Sequence, residues 1–493
     1  MSPTANAPPG TRPIPKTATC IEGLDEVLHG GLPEGRMTLL TGGPGTGKTI
    51  LGLEFLYRSA AAGVPGLFVT FEESETSVFQ NAASMGWDLE DLLRKQALQV
   101  VAPELPRGMF KAGDFDIQGL LAGLTARIEA IGARHIVIDA LDVLLRIFED
   151  PRRERDQIET LHRWLQEKGL TSVLTLKTKG DDLQLYPFLD FMADCVLHTD
   201  QRIDNQLRTR RLSVVKLRGS GFMANEIPYA ISASGIRIFP VPSIGRAAPS
   251  SRGRVSSGNE NLDEILGGGY RQGSSILLAG PPGTGKTTLA ATFSQAAARR
   301  REKVLYLAYE ESKAAMIESM LSPGLDLRPQ VEQGTLAILD AIPESMGIEE
   351  QLIRILDAAE AAGPRHIIVD AISALRRMGS NQAGFDFLVR LLAFCKTQGT
   401  TLVLVCQHPG DRPSYQISGF GISSLIDTIV YLRFDESAGR IRTMLAVLKS
   451  RGSGHSRHFH EMLISDRGVE VLAEGPDPLP PMSHRRGGPH AKA

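Results

Sequence analysis

A glycine-rich motif of the form G-x-x-x-x-G-K-T occurs twice in the chain, at 42–49 and at 280–287. The glycines of such a motif let successive backbone N–H groups turn towards phosphate groups, and the helix that follows adds the positive end of its dipole. A short apolar run precedes each motif, and an alanine- and leucine-rich run follows it, as expected of strand–loop–helix units. The sequence therefore predicts two P-loops, each of which binds a nucleoside triphosphate.

The two motifs supply matching phosphate-binding residues. In each motif the lysine provides a positive charge, and the threonine after it provides a hydroxyl for Mg²⁺. The residues expected to bind ATP are Gly43, Gly45, Thr46, Gly47, Lys48 and Thr49 in the first motif, and Gly283, Thr284, Gly285, Lys286, Thr287 and Thr288 in the second.

Length and composition indicate a globular protein with more than one domain. The 493 residues suffice for two or three domains, and the contents of 42% hydrophobic and 22% charged residues are ordinary for soluble proteins. A net charge of −2 gives no electrostatic reason to expect nucleic acid or an anionic membrane as the main partner. The four cysteines lack metal-ligand spacing, and no apolar stretch is long enough to span a membrane. We therefore expect a cytoplasmic protein without zinc or disulfides.

The sequence around the motifs is also duplicated. The offset that relates Lys48 to Lys286 relates 24–26 to 262–264 and the Glu72-Glu73 pair to Glu310-Glu311. Later segments match after small shifts in register, which indicates a duplicated domain. The predicted organisation is a disordered tail at 1–16, a first domain at 17–240, a linker at 241–255, a second domain at 256–473 and a disordered tail at 474–493.

Strand-like and helical segments alternate within each copy. The strand-like segments are short continuous apolar runs, which are typical of strands buried on both faces of a sheet. The predicted fold class is therefore α/β, with a mainly parallel sheet flanked by helices in each of two tandem domains.

Acidic residues end several of these predicted strands. Asp139 and Asp370 each follow a run of three apolar residues, where a Walker-B carboxylate holds Mg²⁺, usually through water. One carboxylate of each glutamate pair, Glu72 or Glu73 and Glu310 or Glu311, is a candidate catalytic group that orients or deprotonates the attacking hydroxyl of water or of a side chain. The alternative is a solvated first helical turn, which the helix dipole favours for acids.

Two Lys-x-Arg-Gly segments follow late strands. Lys216 and Arg218 in the first copy, and Lys449 and Arg451 in the second, are candidate contacts for the γ-phosphate of a nucleotide bound to a neighbouring subunit. A plain surface pair of charges is the alternative.

The P-loop, glutamate pair, Walker-B acid and Lys-x-Arg-Gly segment, in this order and duplicated, resemble the KaiC family, the tandem ATPases and autokinases of the cyanobacterial clock. The resemblance covers 17–240 and 256–473. It implies two RecA-like P-loop NTPase domains, hexameric double rings, and ATP with Mg²⁺ bound between adjacent subunits. It also implies slow ATP hydrolysis in the first ring and serine/threonine autophosphorylation in the second.

The resemblance extends to phosphate acceptors. Ser423 and Ser424 occupy the place of the family's adjacent acceptors, and Ser418 that of a nearby third hydroxyl; the equivalent stretch at 189–194 has no hydroxyl. Only the second copy is therefore expected to autophosphorylate. His455 resembles a nucleotide contact made across the subunit boundary, whereas the first copy has Phe222 there.

Other readings remain open at this stage. The tail from 474 bears little likeness to the family's partner-binding C-terminus, so dependence on KaiA is not expected, whereas a KaiB-like or other signalling partner stays open. A RecA-type DNA-dependent ATPase or recombinase would need basic DNA-facing loops, but 177–190 and 407–421 are mixed in charge. A nucleotide-gated scaffold is the third reading.

Overall fold

The computed structural model describes residues 14–103, 117–148, 150–178, 187–204, 207–240, 253–340, 346–407, 420–437 and 439–472. The chain forms two compact units, Met1–Val241 and Pro242–Ala493. Most of the predicted linker and tails lies outside the described residues, so the boundaries of these segments stay predictions. In the part of the chain that the structure describes, no helix is both long and apolar enough to cross a membrane.

The first unit contains a nine-stranded sheet and a separate two-stranded sheet. Its strands are β1 (Lys16–Thr17), β2 (Leu32–Pro33), β3 (Met37–Gly42), β4 (Gly66–Thr70), β5 (Leu98–Val101), β6 (His135–Asp139), β7 (Thr171–Lys177), β8 (Cys195–Asp204), β9 (Leu207–Leu217), β10 (Ile227–Ser232) and β11 (Gly235–Ile238). Its helices are α1 (Leu24–Val27), α2 (Lys48–Ala61), α3 (Glu75–Ser84), α4 (Leu89–Arg94), α5 (Ile117–Ile131), α6 (Leu141–Leu145), α7 (Pro151–Glu167) and α8 (Pro187–Met192).

The strand order of the nine-stranded sheet is β11-β10-β9-β8-β3-β7-β6-β4-β5. The strands from β8 to β5 in this order pair in parallel, whereas β8, β9, β10 and β11 pair antiparallel. A separate two-stranded sheet joins β1 and β2.

The second unit repeats this architecture. Its strands are β12 (Arg254–Val255), β13 (Tyr270–Arg271), β14 (Ser275–Gly280), β15 (Val304–Ala308), β16 (Leu336–Asp340), β17 (His366–Asp370), β18 (Thr401–Gln407), β19 (Thr428–Ser437), β20 (Arg440–Ser450), β21 (His460–Ser465) and β22 (Gly468–Val471). Its helices are α9 (Glu260–Ile265), α10 (Lys286–Arg299), α11 (Lys313–Ser319), α12 (Arg328–Glu332), α13 (Ile348–Ala362) and α14 (Asn381–Gln398), with short 3-10 helices at Ile372–Arg377 and Ile422–Ser424. The strand order is β16-β15-β17-β18-β14-β19-β20-β21-β22.

The parallel part of each sheet is buried on both faces. Every residue of β3 and of β14 is buried, which explains why both strands lack charged residues and are largely apolar. In the first unit, Phe55 and Leu56 of α2 belong to the core on one face, and Ile128 of α5 and Leu161 of α7 belong to the core on the other. The structure confirms the predicted α/β class with mainly parallel sheets flanked by helices.

Candidate nucleotide-binding sites

Each P-loop ends in a glycine that begins a helix. Gly47 precedes α2 with φ of 80°, and Gly285 precedes α10 with φ of 82°, a left-handed conformation that favours glycine. A Cβ atom at Gly47 would lie 2.6 Å from Cδ1 of Ile231, and one at Gly285 would lie 2.4 Å from Cδ1 of Ile464. Neither helix start carries a side-chain cap, so its first N–H groups remain suited to an anion.

The P-loop lysines lie folded over their own loops. The Nζ atom of Lys48 donates to the carbonyl oxygens of Gly42 and Gly43, each at 2.8 Å, and Nζ of Lys286 donates to that of Pro281 at 2.7 Å. Burial lowers the pKa of both ammonium groups, and nearby carboxylates oppose this shift. Two buried cations thus face the loops in which phosphate is expected to bind.

Three residues that the sequence did not single out support the first P-loop. The hydroxyl of Thr199 donates to Oγ1 of Thr46 at 2.9 Å, and the buried hydroxyl of Tyr229 donates to the carbonyl oxygen of Thr46. Nε of Arg210 donates to the carbonyl oxygen of Gly45 at 3.3 Å. These residues come from β8, β9 and β10, far along the chain, and no motif marks a side chain that bonds a hydroxyl or carbonyl group of the loop.

The first Walker-B acid is held by two hydroxyls. Oγ1 of Thr49 donates to Oδ2 of Asp139 at 2.9 Å, and the hydroxyl of Thr175 donates to Oδ1. Thr175 lies on β7 beside β6, the strand that ends at Asp139. Burial raises the pKa of Asp139, and these two hydrogen bonds oppose the shift.

The predicted Walker-B acid of the second unit accepts a hydrogen bond from the strand on the other side of its own strand. Asp370 accepts hydrogen bonds from the Tyr306 hydroxyl, at 2.6 Å, and from the Thr287 side chain. Burial raises the pKa of Asp370 to about 6, against the effect of these bonds. Tyr306 lies on β15, where the first unit has Phe68, and Val405 takes the place of Thr175 on β18. The supporting hydroxyl has therefore exchanged strands between the copies.

The donor atoms at both sites fit Mg²⁺. Thr49 with Asp139, and Thr287 with Asp370, place a P-loop hydroxyl against a strand-end carboxylate. Hydroxyl and carboxylate oxygens are the hard ligands that this ion prefers.

The first glutamate of each predicted catalytic pair faces the neighbouring strand end. Glu72 forms an ion pair with Lys177, the last residue of β7. Glu310 accepts a hydrogen bond of 2.6 Å from Nε2 of Gln407, the last residue of β18. Both carboxylates also act electrostatically on the Walker-B acid of their unit, which places them near the predicted metal position.

The second glutamate of each pair faces the helix that follows. Glu73 accepts from Oγ of Ser77 at 3.0 Å and from Nδ2 of Asn81 at 2.8 Å. Glu311 accepts from Oγ of Ser319 at 3.3 Å. The geometry thus separates the two members of each pair, which the sequence could not do.

The Lys-x-Arg cations contact the backbone of one short segment. In the first unit Nζ of Lys216 donates to the carbonyl oxygen of Asp190 at 2.6 Å, and Arg218 donates to that of Phe191, also at 2.6 Å. In the second unit Nζ of Lys449 donates to the carbonyl oxygen of Ser423 at 2.9 Å. Arg451 donates to the carbonyl oxygen of Ser424. The cation pair therefore adjoins the predicted acceptors.

The predicted acceptors lie at the edge of the sheet formed by the amino ends of its parallel strands, whereas their own P-loop lies at the edge formed by the carboxyl ends. Asp427, shortly after Ser424, bonds to Ser275 at the start of β14, whereas the P-loop begins at Gly280 at its end. The six residues of β14 span roughly 17 Å at about 3.3 Å per residue.

The remaining predicted site residues divide between the two edges. His455 lies in the loop after β20, where the N–H of its neighbour Ser456 donates to the carbonyl oxygen of Ile265 at 3.0 Å. Thr288 lies in the first turn of α10, beside the P-loop. Phe222 packs against the core of the first unit. Ser418 lies outside the described residues.

Comparisons with known proteins agree with this geometry. A protein-family model described as "ATPase: KaiC" matches residues 17–243 and 255–475. "Circadian clock protein KaiC2" of Synechocystis sp. is 37% identical over 466 residues, which cover 93% of this chain and 81% of that protein. "Circadian clock oscillator protein KaiC" of Synechococcus elongatus is 35% identical over 462 residues, 93% of this chain and 89% of that protein.

Proposed function

Because the chain belongs to the KaiC family of ATPases, we propose that its second unit also transfers the γ-phosphoryl group of ATP to Ser423 and Ser424 of a neighbouring copy. The observation that carries this proposal is the position of both serines, at the sheet edge opposite their own P-loop and against Lys449 and Arg451.

Nucleotide binding is proposed to use the same groups in both units. The loop N–H groups and the buried lysine receive the phosphates, and the uncapped start of α2 or α10 adds its dipole. Thr49 with Asp139, and Thr287 with Asp370, would hold Mg²⁺. When bound, the ion would neutralise charge on the β- and γ-phosphates.

The chemical step follows from the position of the first glutamate in each pair. In the second unit Glu310 would accept the proton of a serine hydroxyl as the serine oxygen forms a bond to the γ-phosphorus. The bond between that phosphorus and the β–γ bridging oxygen breaks, and ADP leaves with the electron pair. In the first unit Glu72 would accept the proton of water, and the product is inorganic phosphate.

Contact between copies is proposed because, within one unit, the acceptor serines and the P-loop lie at opposite edges of the sheet. The edge with Ser423, Ser424, Lys449 and Arg451 would meet the P-loop edge of the next copy, so that the cations approach its γ-phosphate. His455 lies on the same edge. Such head-to-tail contacts close into rings when the rotation between copies allows it. We propose a homohexamer, in line with the KaiC resemblance.

The first unit is proposed to hydrolyse ATP without modifying itself. Lys216 and Arg218 contact carbonyl oxygens in the same way, but Asp190 and Phe191 stand where the second unit has its serines. The output would then be the phosphorylation and ring state of the second unit. This role would require a partner such as a KaiB-like or other signalling protein, and a cytoplasmic location.

A labelling experiment tests the acceptor assignment. Purified protein is incubated with Mg²⁺ and γ-labelled ATP, and labelled peptides are mapped by mass spectrometry for wild type, Ser423→Ala, Ser424→Ala and the double variant. We expect label on these serines and its loss in the double variant. The control Ser465→Ala changes an exposed serine at the end of β21 and should retain full labelling. Hydrolysis without protein-bound label would leave an ATPase and exclude the kinase activity.

A further inference from the structure

The two candidate sites differ in the group that holds the first glutamate. Lys177 and Gln407 occupy the same place, the last residue of β7 and of β18. Lys177 forms an ion pair with Glu72, whereas the side-chain amide of Gln407 donates to Glu310 at 2.6 Å. A cation in one copy is thus replaced by a neutral donor in the other, with the same geometry.

Lys177 lies beside the first residue of the first P-loop. It pairs in register with Gly42, the residue that begins the glycine-rich motif. Its charge also reaches the P-loop lysine: burial is the main cause that lowers the pKa of Lys48, and the repulsion from Lys177 adds to it. Lys177 would therefore lie within the electrostatic field of phosphates that bind in this P-loop.

The charge of the group beside the carboxylate therefore differs between the copies. The ammonium group of Lys177 faces Glu72, whereas the neutral side-chain amide of Gln407 faces Glu310. The side chains of Lys177 and Glu72 are 38% and 32% exposed, so the ion pair is open to screening by salt.

We propose that Lys177 is a positioning residue that restrains Glu72 and slows ATP turnover in the first unit, and that Gln407 holds Glu310 in the second unit without an opposing charge. This inference rests on the proposed role of Glu72 and Glu310 as proton acceptors. A carboxylate that an ammonium group already neutralises attracts the proton of the attacking water less strongly. To accept a proton, Glu72 must either break its ion pair with Lys177 or act while the ammonium group weakens its attraction for the proton. Both raise the activation barrier of hydrolysis.

The test uses full-length chains in which only one unit at a time can hydrolyse ATP. Glu310→Gln with Glu311→Gln silences turnover in the second unit, so the remaining ATPase activity belongs to the first. In this background Lys177→Gln, which copies Gln407, should raise kcat about two- to fivefold with little change in KM. Lys177→Arg retains the cation and should keep the slow rate. Lys168→Gln breaks a surface pair with Glu129 and should leave kcat unchanged.

Salt dependence separates this role from a merely structural one. With Lys177 present, kcat of the first unit should rise with ionic strength, because salt screens the ion pair. In Lys177→Gln the rise should disappear. The reverse change, Gln407→Lys, should lower turnover in the second unit by a similar factor and introduce the same salt dependence, measured with Glu72→Gln and Glu73→Gln silencing the first.

The outcomes distinguish this inference from the proposed function. If Glu72→Gln leaves first-unit turnover intact, the role of Glu72 is wrong and the inference falls with it. If Glu72→Gln abolishes turnover but Lys177→Gln lowers kcat or leaves it unchanged, only the inference is overturned. A lowered kcat would mean that Lys177 instead stabilises the transferring phosphate.

Discussion

At the scale of single residues, the two copies use different residues to donate a hydroxyl hydrogen bond to the predicted Walker-B acid. Thr175 on one flanking strand serves Asp139, and Tyr306 on the other serves Asp370. A buried carboxylate that loses such a donor is left less satisfied, at a cost of about 1–3 kcal/mol. The exchange indicates that one neighbouring hydroxyl suffices, whichever strand supplies it.

Thr175→Val should therefore weaken the first site, and a second change should rescue it. We expect a loss of about 1–3 kcal/mol in the free energy of unfolding at neutral pH, together with reduced ATP turnover in the first unit. Adding Phe68→Tyr, which copies Tyr306, should restore most of both. Chemical denaturation and ATPase assays check this; failure of Phe68→Tyr to restore anything would contradict the equivalence of the two hydroxyls.

The raised pKa of Asp370 predicts a pH-dependent stability of the nucleotide-free chain. Burial raises its pKa from the ordinary value of 3.8 to about 6 in the folded protein, so the folded chain holds this proton more tightly between these pH values. Its contribution to stability is largest below pH 3.8 and is lost as pH rises through 6. In Tyr306→Phe the pKa should rise further, so the loss should extend above pH 6. Unfolding of wild type and variant across this range measures the difference, and identical pH dependence would refute it.

At the scale of elements, the sequence predicts the parallel half of each sheet better than the antiparallel half. The strands β3, β6, β14 and β17 are buried along their whole length and are largely apolar, so composition marks them. The strand β9 begins at Leu207, earlier than Leu212, where its apolar positions become frequent; the stretch between them is rich in arginine and gives no apolar signal. The short strands β10, β11, β21 and β22 gave no comparable signal.

The candidate sites follow the same division. P-loop residues and strand-end acids were predictable, because backbone geometry and Mg²⁺ chemistry demand particular residue types at fixed spacing. Thr199, Arg210 and Tyr229 were not, because a hydrogen bond to a loop hydroxyl or carbonyl can come from many side chains at any distance along the chain.

The helix starts at the P-loops give a prediction at this scale. Gly285→Ala combines a left-handed φ with a close approach to the end of the Ile464 side chain, so it should strain the start of α10 and weaken ATP binding by the second unit. Gly63→Ala is the matched control, because it has φ of 88° but open space around it. It should cost about 1–2 kcal/mol of stability without loss of binding. Calorimetric titration with ATP checks both, and binding of undiminished affinity in Gly285→Ala would contradict the packing argument.

At the scale of the whole molecule, the duplication gives two units of one fold with different side chains beside the same pair of cations. Both carry a P-loop, a strand-end acid and a glutamate pair, but only the second presents hydroxyls beside its Lys-x-Arg cations. The separation of acceptor and P-loop edges makes transfer between copies the central claim of this account.

Mixing two variants tests that claim most directly. Chains with Glu310→Gln and Glu311→Gln keep their serines but lack the proposed proton acceptor, and chains with Ser423→Ala and Ser424→Ala keep the glutamates but lack acceptor hydroxyls. Neither should become labelled alone with Mg²⁺ and γ-labelled ATP. After subunit exchange, we predict phosphate on Ser423 and Ser424 of the glutamine variant. Absence of label in the mixture, when wild type labels itself under the same conditions, would contradict transfer between neighbouring copies.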